Sequence, residues 1–209
     1  MADKKQTQPL TPANQNPWYV LMTLYGEQTG KEIDRELHKK NRTAWNAWSC
    51  QMMSEDDRAA VATSSFVSVK DLAGWESLGA EITRQHEVEM RARNGADFVY
   101  PGLPEAGEDV VLSDVIFERT LCCNRMVFSR SAWFDFAAFS GDAWFDSATF
   151  GGDAWFHSAT FSGNAWFRST TFSGDAWFIS ATFGDYTYFF IPLLLQNPKV
   201  IVGYDAEVV

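Results

Sequence analysis

The residues with which this chain could do chemistry are three histidines, three cysteines and a set of tryptophans that recur beside phenylalanine. His38, His86 and His157 are scattered, and His157 stands alone on a repeated column, which suits a solvent-facing filler better than a base or a ligand. No Cys/His spacing fits zinc. Cys50, Cys122 and Cys123 are too few for a disulfide framework, and adjacent cysteines rarely pair with each other. Cys123 reads as an interior hydrophobe, and Cys122 as an outward thiol, the one candidate for reactivity. No glycine-rich phosphate loop precedes a helix. The sequence therefore assigns no catalytic residue, no metal site and no cofactor.

The tryptophans carry more information. Trp133, Trp144, Trp155, Trp166 and Trp177 are spaced by eleven, each followed by phenylalanine in the triplet AWF. Phe134, Phe145, Phe156, Phe167 and Phe178 make one ladder; Cys123 and Leu112 continue it backward, Phe189 and Val200 forward. Phe117, Phe128, Phe139, Phe150, Phe161, Phe172, Phe183 and Leu194 make a second. Together, 17 apolar positions alternate spacings of five and six. Neither helical period fits this pattern, and glycine recurs through it.

Two residues before a ladder position the side chain is small, as at Ala132, Ala143, Ala154, Thr170 and Ala176. In an extended chain positions i and i−2 face the same way, so a large and a small residue share the interior. Each Trp, at i−1, then points outward, with Trp133, Trp155 and Trp177 on one face and Trp144 and Trp166 on the opposite one. Thr149, Thr160, Thr171 and Thr182 hold the matching outward site of the second ladder. Between them Asp135, Asp146, His157, Arg168 and Ile179 vary freely, which implies no shared chemistry. Ser, Gly, Asp and Asn after each ladder residue suit tight corners.

The units AWFDS, ATFGG, AWFHS, ATFSG, AWFRS, TTFSG and AWFIS resemble the pentapeptide-repeat family. The resemblance is close over residues 110–190, weak to Val200, with Ala96-Asp97-Phe98 as a possible isolated earlier unit. It implies a mainly β fold, a right-handed quadrilateral β-helix with four short faces per coil, preceded here by an α-helical region. One residue is added at every second corner (Asp142, Asp153, Asn164, Asp175), which predicts 22 residues per coil rather than eleven. Four coils of strands ~4.8 Å apart make a rod ~19 Å tall.

Residues 1–16 read as a disordered polar tail and residues 17–95 as about four helices. The helices are NPWYVLMTLYG, KEIDRELHKKNRTAWNAW, a short one capped by Ser54, and a long one opened by Ser68. The first could also dock a partner. Residues 96–109 connect, 110–190 form the solenoid, and 191–209 cap it or dimerise. Pro192 and Pro198 end the ladder there, and Phe190, Ile191 and Leu193 are the candidate homodimer face.

Net charge is −10. Divided at residue 109, the halves hold 12 basic and 17 acidic, then 5 and 10, so the sequence shows no basic patch and direct nucleic-acid binding is not expected. The polar N-terminus lacks a signal-like apolar run, no apolar stretch is long enough to span a bilayer, and the expected location is the cytoplasm. The leading functional expectation is a non-enzymatic scaffold rod for a protein partner or for itself, with the tryptophans as the face that stacks or binds. The resemblance implies an alternative, a DNA-mimic modulator of DNA gyrase. Ice or another surface bound through the threonines is a third.

Overall fold

The computed structural model describes residues 9–95, 97–184, 186–190 and 200–201. Five helices precede a β-solenoid of about four turns with parallel strands. The strands are mostly two residues long and fall into four sheets. The Trp133 sheet holds Val110–Val111, Ala132–Trp133, Ala154–Trp155, Ala176–Trp177 and Val200–Ile201. The Trp144 sheet holds Leu121–Cys122, Ala143–Trp144, Ala165–Arg168 and Thr187–Phe190. Between them lie the Thr160 sheet (Val115–Phe117, Ala138–Phe139, Thr160–Phe161, Thr182–Phe183) and the Thr149 sheet (Val127–Phe128, Thr149–Phe150, Thr171–Phe172).

Within the repeats every pairing joins residues 22 apart, as in Ala132↔Ala154↔Ala176 and Phe117↔Phe139. An eleven-residue coil is thereby ruled out. The register breaks once: Val200 pairs with Ala176 and Ile201 with Trp177, so two extra residues enter before the last strand and Val200 does not extend the Phe178 ladder. Leu194, Pro192 and Pro198 lie outside the described residues.

The interior follows from the small-x-large alternation. Phe134, Phe145, Phe150, Phe156 and Phe167 have no exposed surface, and the alanines two residues before most ladder positions are equally enclosed. Each ring lies over the ring one coil away at 4.5–5.2 Å and within 10° of parallel, for example Phe134 on Phe156 and Phe156 on Phe178, both at 4.8 Å. Rings on different sheets meet edge to face, as Phe145 does with Phe156 at 5.7 Å, or tilted, as Phe134 does with Phe139 at 6.0 Å and 39°. The stacked and edge-to-face geometries suit the aromatic quadrupole.

Two devices turn the chain. Every eleventh residue from Asp114 to Ser180 (Asp114, Arg125, Phe136, Ser147, Ser158, Ser169, Ser180) has φ between 54 and 59°. At the other corners the coils come so close that a Cβ on Gly163 would sit 2.8 Å from Asp142 Oδ1, so only glycine fits. The added residues lock successive coils: Asp142 Oδ1 accepts the Asn164 N–H at 2.9 Å and Asp153 Oδ1 the Asp175 N–H at 2.8 Å.

The N-terminal region closes the first coil. Of the expected tail, Thr11–Pro12 instead pairs with Val115 and Ile116 and Ala13 is buried, because the open edge of the Thr160 sheet offers hydrogen bonds and an apolar lip. Helix α1 (Pro17–Met22) starts at Pro17, with Asn16 capping the Trp18 and Tyr19 amides. Helix α2 (Arg35–Ser49) is capped by Asp34, and α3 (Glu55–Ser64) by Ser54. The run opened by Ser68 is two helices, α4 (Val69–Leu72) and α5 (Trp75–Asn94). They part at Ala73-Gly74, where Gly74 approaches Ala47 so closely that an added Cβ would lie 3.3 Å from it. Asp97-Phe98 is no early coil; the Phe98 N–H closes a turn onto Gly95 O after α5.

Helix α2 substitutes for a strand along the Thr149 sheet. Asn46 Oδ1 accepts the Val127 N–H (2.9 Å), its Nδ2 donates to Arg125 O (3.1 Å), and Trp45 Nε1 donates to Val127 O (2.9 Å). Ser49 Oγ accepts the Ser129 N–H at 3.1 Å. Aromatic stacking continues into the helices, with Trp45 5.1 Å from Phe128 and Tyr19 5.6 Å from Phe117. Helices and solenoid thus share one hydrophobic core.

Phe156→Ala removes a ring stacked on both sides and is expected to cost about 3–5 kcal/mol. Phe183→Ala, near the last coil and only partly buried, is expected to cost less than half of that. Urea denaturation of the two variants checks the order, and equal losses would contradict a core held by stacking from both sides.

Candidate interaction faces

The outward tryptophans occupy two sheets that are never consecutive along the chain. Trp133, Trp155 and Trp177 form one continuous half-buried stack, at 4.9 and 5.1 Å with the rings 5° from parallel. Trp144, Trp166 and Tyr188 form the other, at 4.9 and 4.3 Å. The two differ in cover. The Arg168 guanidinium lies 4.8 Å above the Trp166 ring and pairs with Asp146, so the Trp144 sheet carries charge over its aromatics. At the head of the Trp133 stack, Trp133 Nε1 donates to Asp109 Oδ2 at 3.2 Å. Farther along, Trp177 Nε1 is shielded from solvent with no partner, as is Trp166 Nε1.

The threonines do not form one surface. Thr160 and Thr182 share a sheet, joined hydroxyl to hydroxyl at 3.2 Å, and Thr171 stands on another. Thr149 is buried, its hydroxyl against that of Ser65 beyond the end of α3. The variable column is not idle either. Asn124 accepts the Asp146 N–H, Asp146 that of Arg168, and Asp135 that of His157, each 22 residues on. Wherever the column holds Asp or Asn with a coil beneath, the side chain locks the next coil, a role that variation in type had concealed.

With this geometry in hand, the family comparison is decisive: residues 124–171 match the model described as pentapeptide repeats, in nine copies. Residues 124–171 are pentapeptide repeats. No curated protein matches the chain, and no solved structure does. The matched span stops short of three Trp133-sheet strands, Val110–Val111, Ala176–Trp177 and Val200–Ile201, which complete that face from outside it. No helix among the described residues is long and apolar enough to cross a membrane. Of the candidate dimer face, Phe190 belongs to the Thr187–Phe190 strand, while Ile191 and Leu193 lie outside the described residues.

The reactive candidates are placed structurally. Cys122 keeps the outward register of Trp144 but is buried, and burial raises its thiol to about 12. Cys50 and Cys123 are buried as well. His157 lies half-buried with its ring edge-on to Phe136. His86 bridges α5 to Pro17 O through Nε2 (2.9 Å) and to the Tyr100 hydroxyl through Nδ1 (2.9 Å). Since a carbonyl only accepts, Nε2 carries the proton and Nδ1 accepts from Tyr100. His38 Nε2 donates to Asn124 O at 2.8 Å, one more edge group of the first coil closed by a side chain of α2.

Burial lowers the His38 pKa from 6.5 to about 4 and shifts His86 the same way. A base whose folded pKa is depressed stabilises the fold fully above its unfolded pKa and loses that contribution as pH falls below it. For His38 the loss between pH 7 and pH 5 is about 2 kcal/mol. His38→Gln, which keeps a donor for Asn124 O, is expected to flatten the pH dependence of urea stability by that amount. An unchanged slope in the variant would contradict the assignment.

Proposed function

We propose that this protein is a non-enzymatic scaffold whose solenoid offers the Trp133–Trp155–Trp177 face to a partner protein. One observation carries this reading: three parallel, half-exposed indoles form a continuous strip without the charged cover that Arg168 places over Trp166. Tryptophan is enriched where binding energy concentrates in interfaces, and a rigid sheet presents it with little entropy left to lose. The non-enzymatic part is supported by His38 and His86, which are committed to main-chain carbonyls, and by thiols raised by burial. The free, buried cysteines suit a reducing cytoplasm.

Two further roles stay secondary, one from the family resemblance and one from the apolar C-terminal run. An acidic chain, with pI near 4.7, is compatible with gyrase modulation by DNA mimicry. Yet the repeat carboxylates point along the rod onto main-chain amides of the next coil, and Arg168 neutralises Asp146. Self-association through the C-terminal end is the other role, proposed from the apolar run Phe190, Ile191 and Leu193.

The test replaces Trp133, Trp155 and Trp177 together by Thr, which the neighbouring sheets already carry outward. Affinity capture with the wild type and the variant should differ in a discrete protein that also binds the purified wild-type rod. Identical capture by a folded variant would show the stack to be structural. Unaltered gyrase supercoiling and unaltered inhibitor sensitivity at micromolar protein are the expected outcome of the parallel assay.

A further inference from the structure

Charge that is even along the chain is uneven in space. Lys31, Arg35, Lys39 and Arg42, on and just before α2, meet Arg125 and Arg168 of the solenoid around one groove of about 1080 Å³. Glu32, Glu36 and Asp146 are its only carboxylates, so the groove is basic on a protein of net charge −10. The absence of a basic patch, read from the sequence, is therefore corrected. The patch joins residues 83 to 137 positions apart (Arg42 to Arg125, Lys31 to Arg168), which no window along the chain brings together.

Among the described residues, four of the six arginines outside the groove are paired with carboxylates, all but Arg58 and Arg130. Arg91 and Arg93 pair with Glu87 and Glu89, and Arg119 with Glu27. In the groove only Arg168 has an ion pair, with Asp146; among the described residues Lys31, Arg35, Lys39, Arg42 and Arg125 have none. Arg42 is the sharpest case. Its Nε is cut off from solvent and has no hydrogen-bond partner. Burial is the main influence against its cation; Asp71 favours the cation more than Arg125 disfavours it, but makes no ion pair with it. A desolvated donor without a partner is costly, and no ion pair offsets the Arg42 charge beside Arg125. Trp144, at the head of its stack, lines the same groove.

We infer that this groove binds a phosphate-bearing small molecule, with the Arg42 and Arg125 guanidiniums on the phosphate and Trp144 beside the group that carries it. A phosphate dianion matches two guanidiniums and the surplus positive charge around them better than a single carboxylate does. The groove has room for a ligand of mononucleotide size. The inference does not depend on the Trp133 face, which lies on a different sheet.

Calorimetric titration of the full chain with inorganic phosphate, adenosine monophosphate and adenosine, at constant ionic strength, tests it. Phosphate and the monophosphate are expected to bind and adenosine not to. A monophosphate that binds more tightly than phosphate assigns the ligand to the esters, and equal affinity assigns it to the free anion. Arg42→Met keeps the apolar stem and Arg125→Asn tolerates the positive φ at that corner (59°). Each should weaken binding about tenfold or more, with ligand-free melting temperature unchanged or raised. Arg84→Gln, on the exposed side of α5, should leave binding intact. No binding of either phosphate compound at about 10 mM, binding that survives both groove variants, or a destabilised ligand-free Arg42→Met with normal affinity in Arg125→Asn would overturn the proposal.

Discussion

The fold depends on one coincidence of lengths. A parallel strand ladder sets a repeat close to 4.8 Å, and aromatic rings stack comfortably at that same interval when slightly offset. The Phe rings sit 4.5–5.2 Å apart along the axis and nearly parallel, so main-chain hydrogen bonds and side-chain stacking reinforce a single register. A slip by one residue would expel the rings from the interior. This double requirement explains why the coil tolerates so little else. Through the repeats a small residue, alanine or Thr170, sits beside the rings, glycine stands where coils touch, and a residue at positive φ turns every other corner.

A stack with two ends needs something at each end that is neither water nor another identical coil. At the first coil the solution is divided among unlike parts. Thr11–Pro12 adds a short strand to one sheet, Asn46, Ser49 and Trp45 of α2 supply side-chain hydrogen bonds to another, and Tyr19 and Trp45 extend the aromatic columns. A helix can close a strand edge only with side chains, because its own amides are already paired. Polar residues that look misplaced on an apolar helix face, such as the fully buried Asn46, are therefore the ones that fit.

How much of this was legible in the sequence follows the range of the interactions. The coil length, the four sheets and the inward Phe columns are written locally, since each follows from spacing and from strand alternation. The starts of α1 at Pro17 and of α3 after Ser54 are local as well and fall where expected, whereas α2 starts at Arg35, four residues into the run KEIDREL, because Asp34 caps it there. What the sequence hid is set by contacts between distant segments. Cys122 and Thr149 read as outward and are buried, because the helical region lies over the first coils. The break at Gly74 depends on how near Ala47 comes. The two-residue slip at Val200 becomes visible only against Ala176. The face tryptophans were found from spacing alone, but the difference in their cover depends on where Arg168 falls.

The plug at the first coil also gives the molecule a direction of growth. Each coil needs only its predecessor as a template, since its strands, stacked rings and Asp locks all reach back 22 residues. The one surface that lacks a predecessor is finished by helices that precede it in the chain. A polypeptide emerging N-terminus first thus carries its own starting block and can lay down successive turns as they appear, without waiting for the far end.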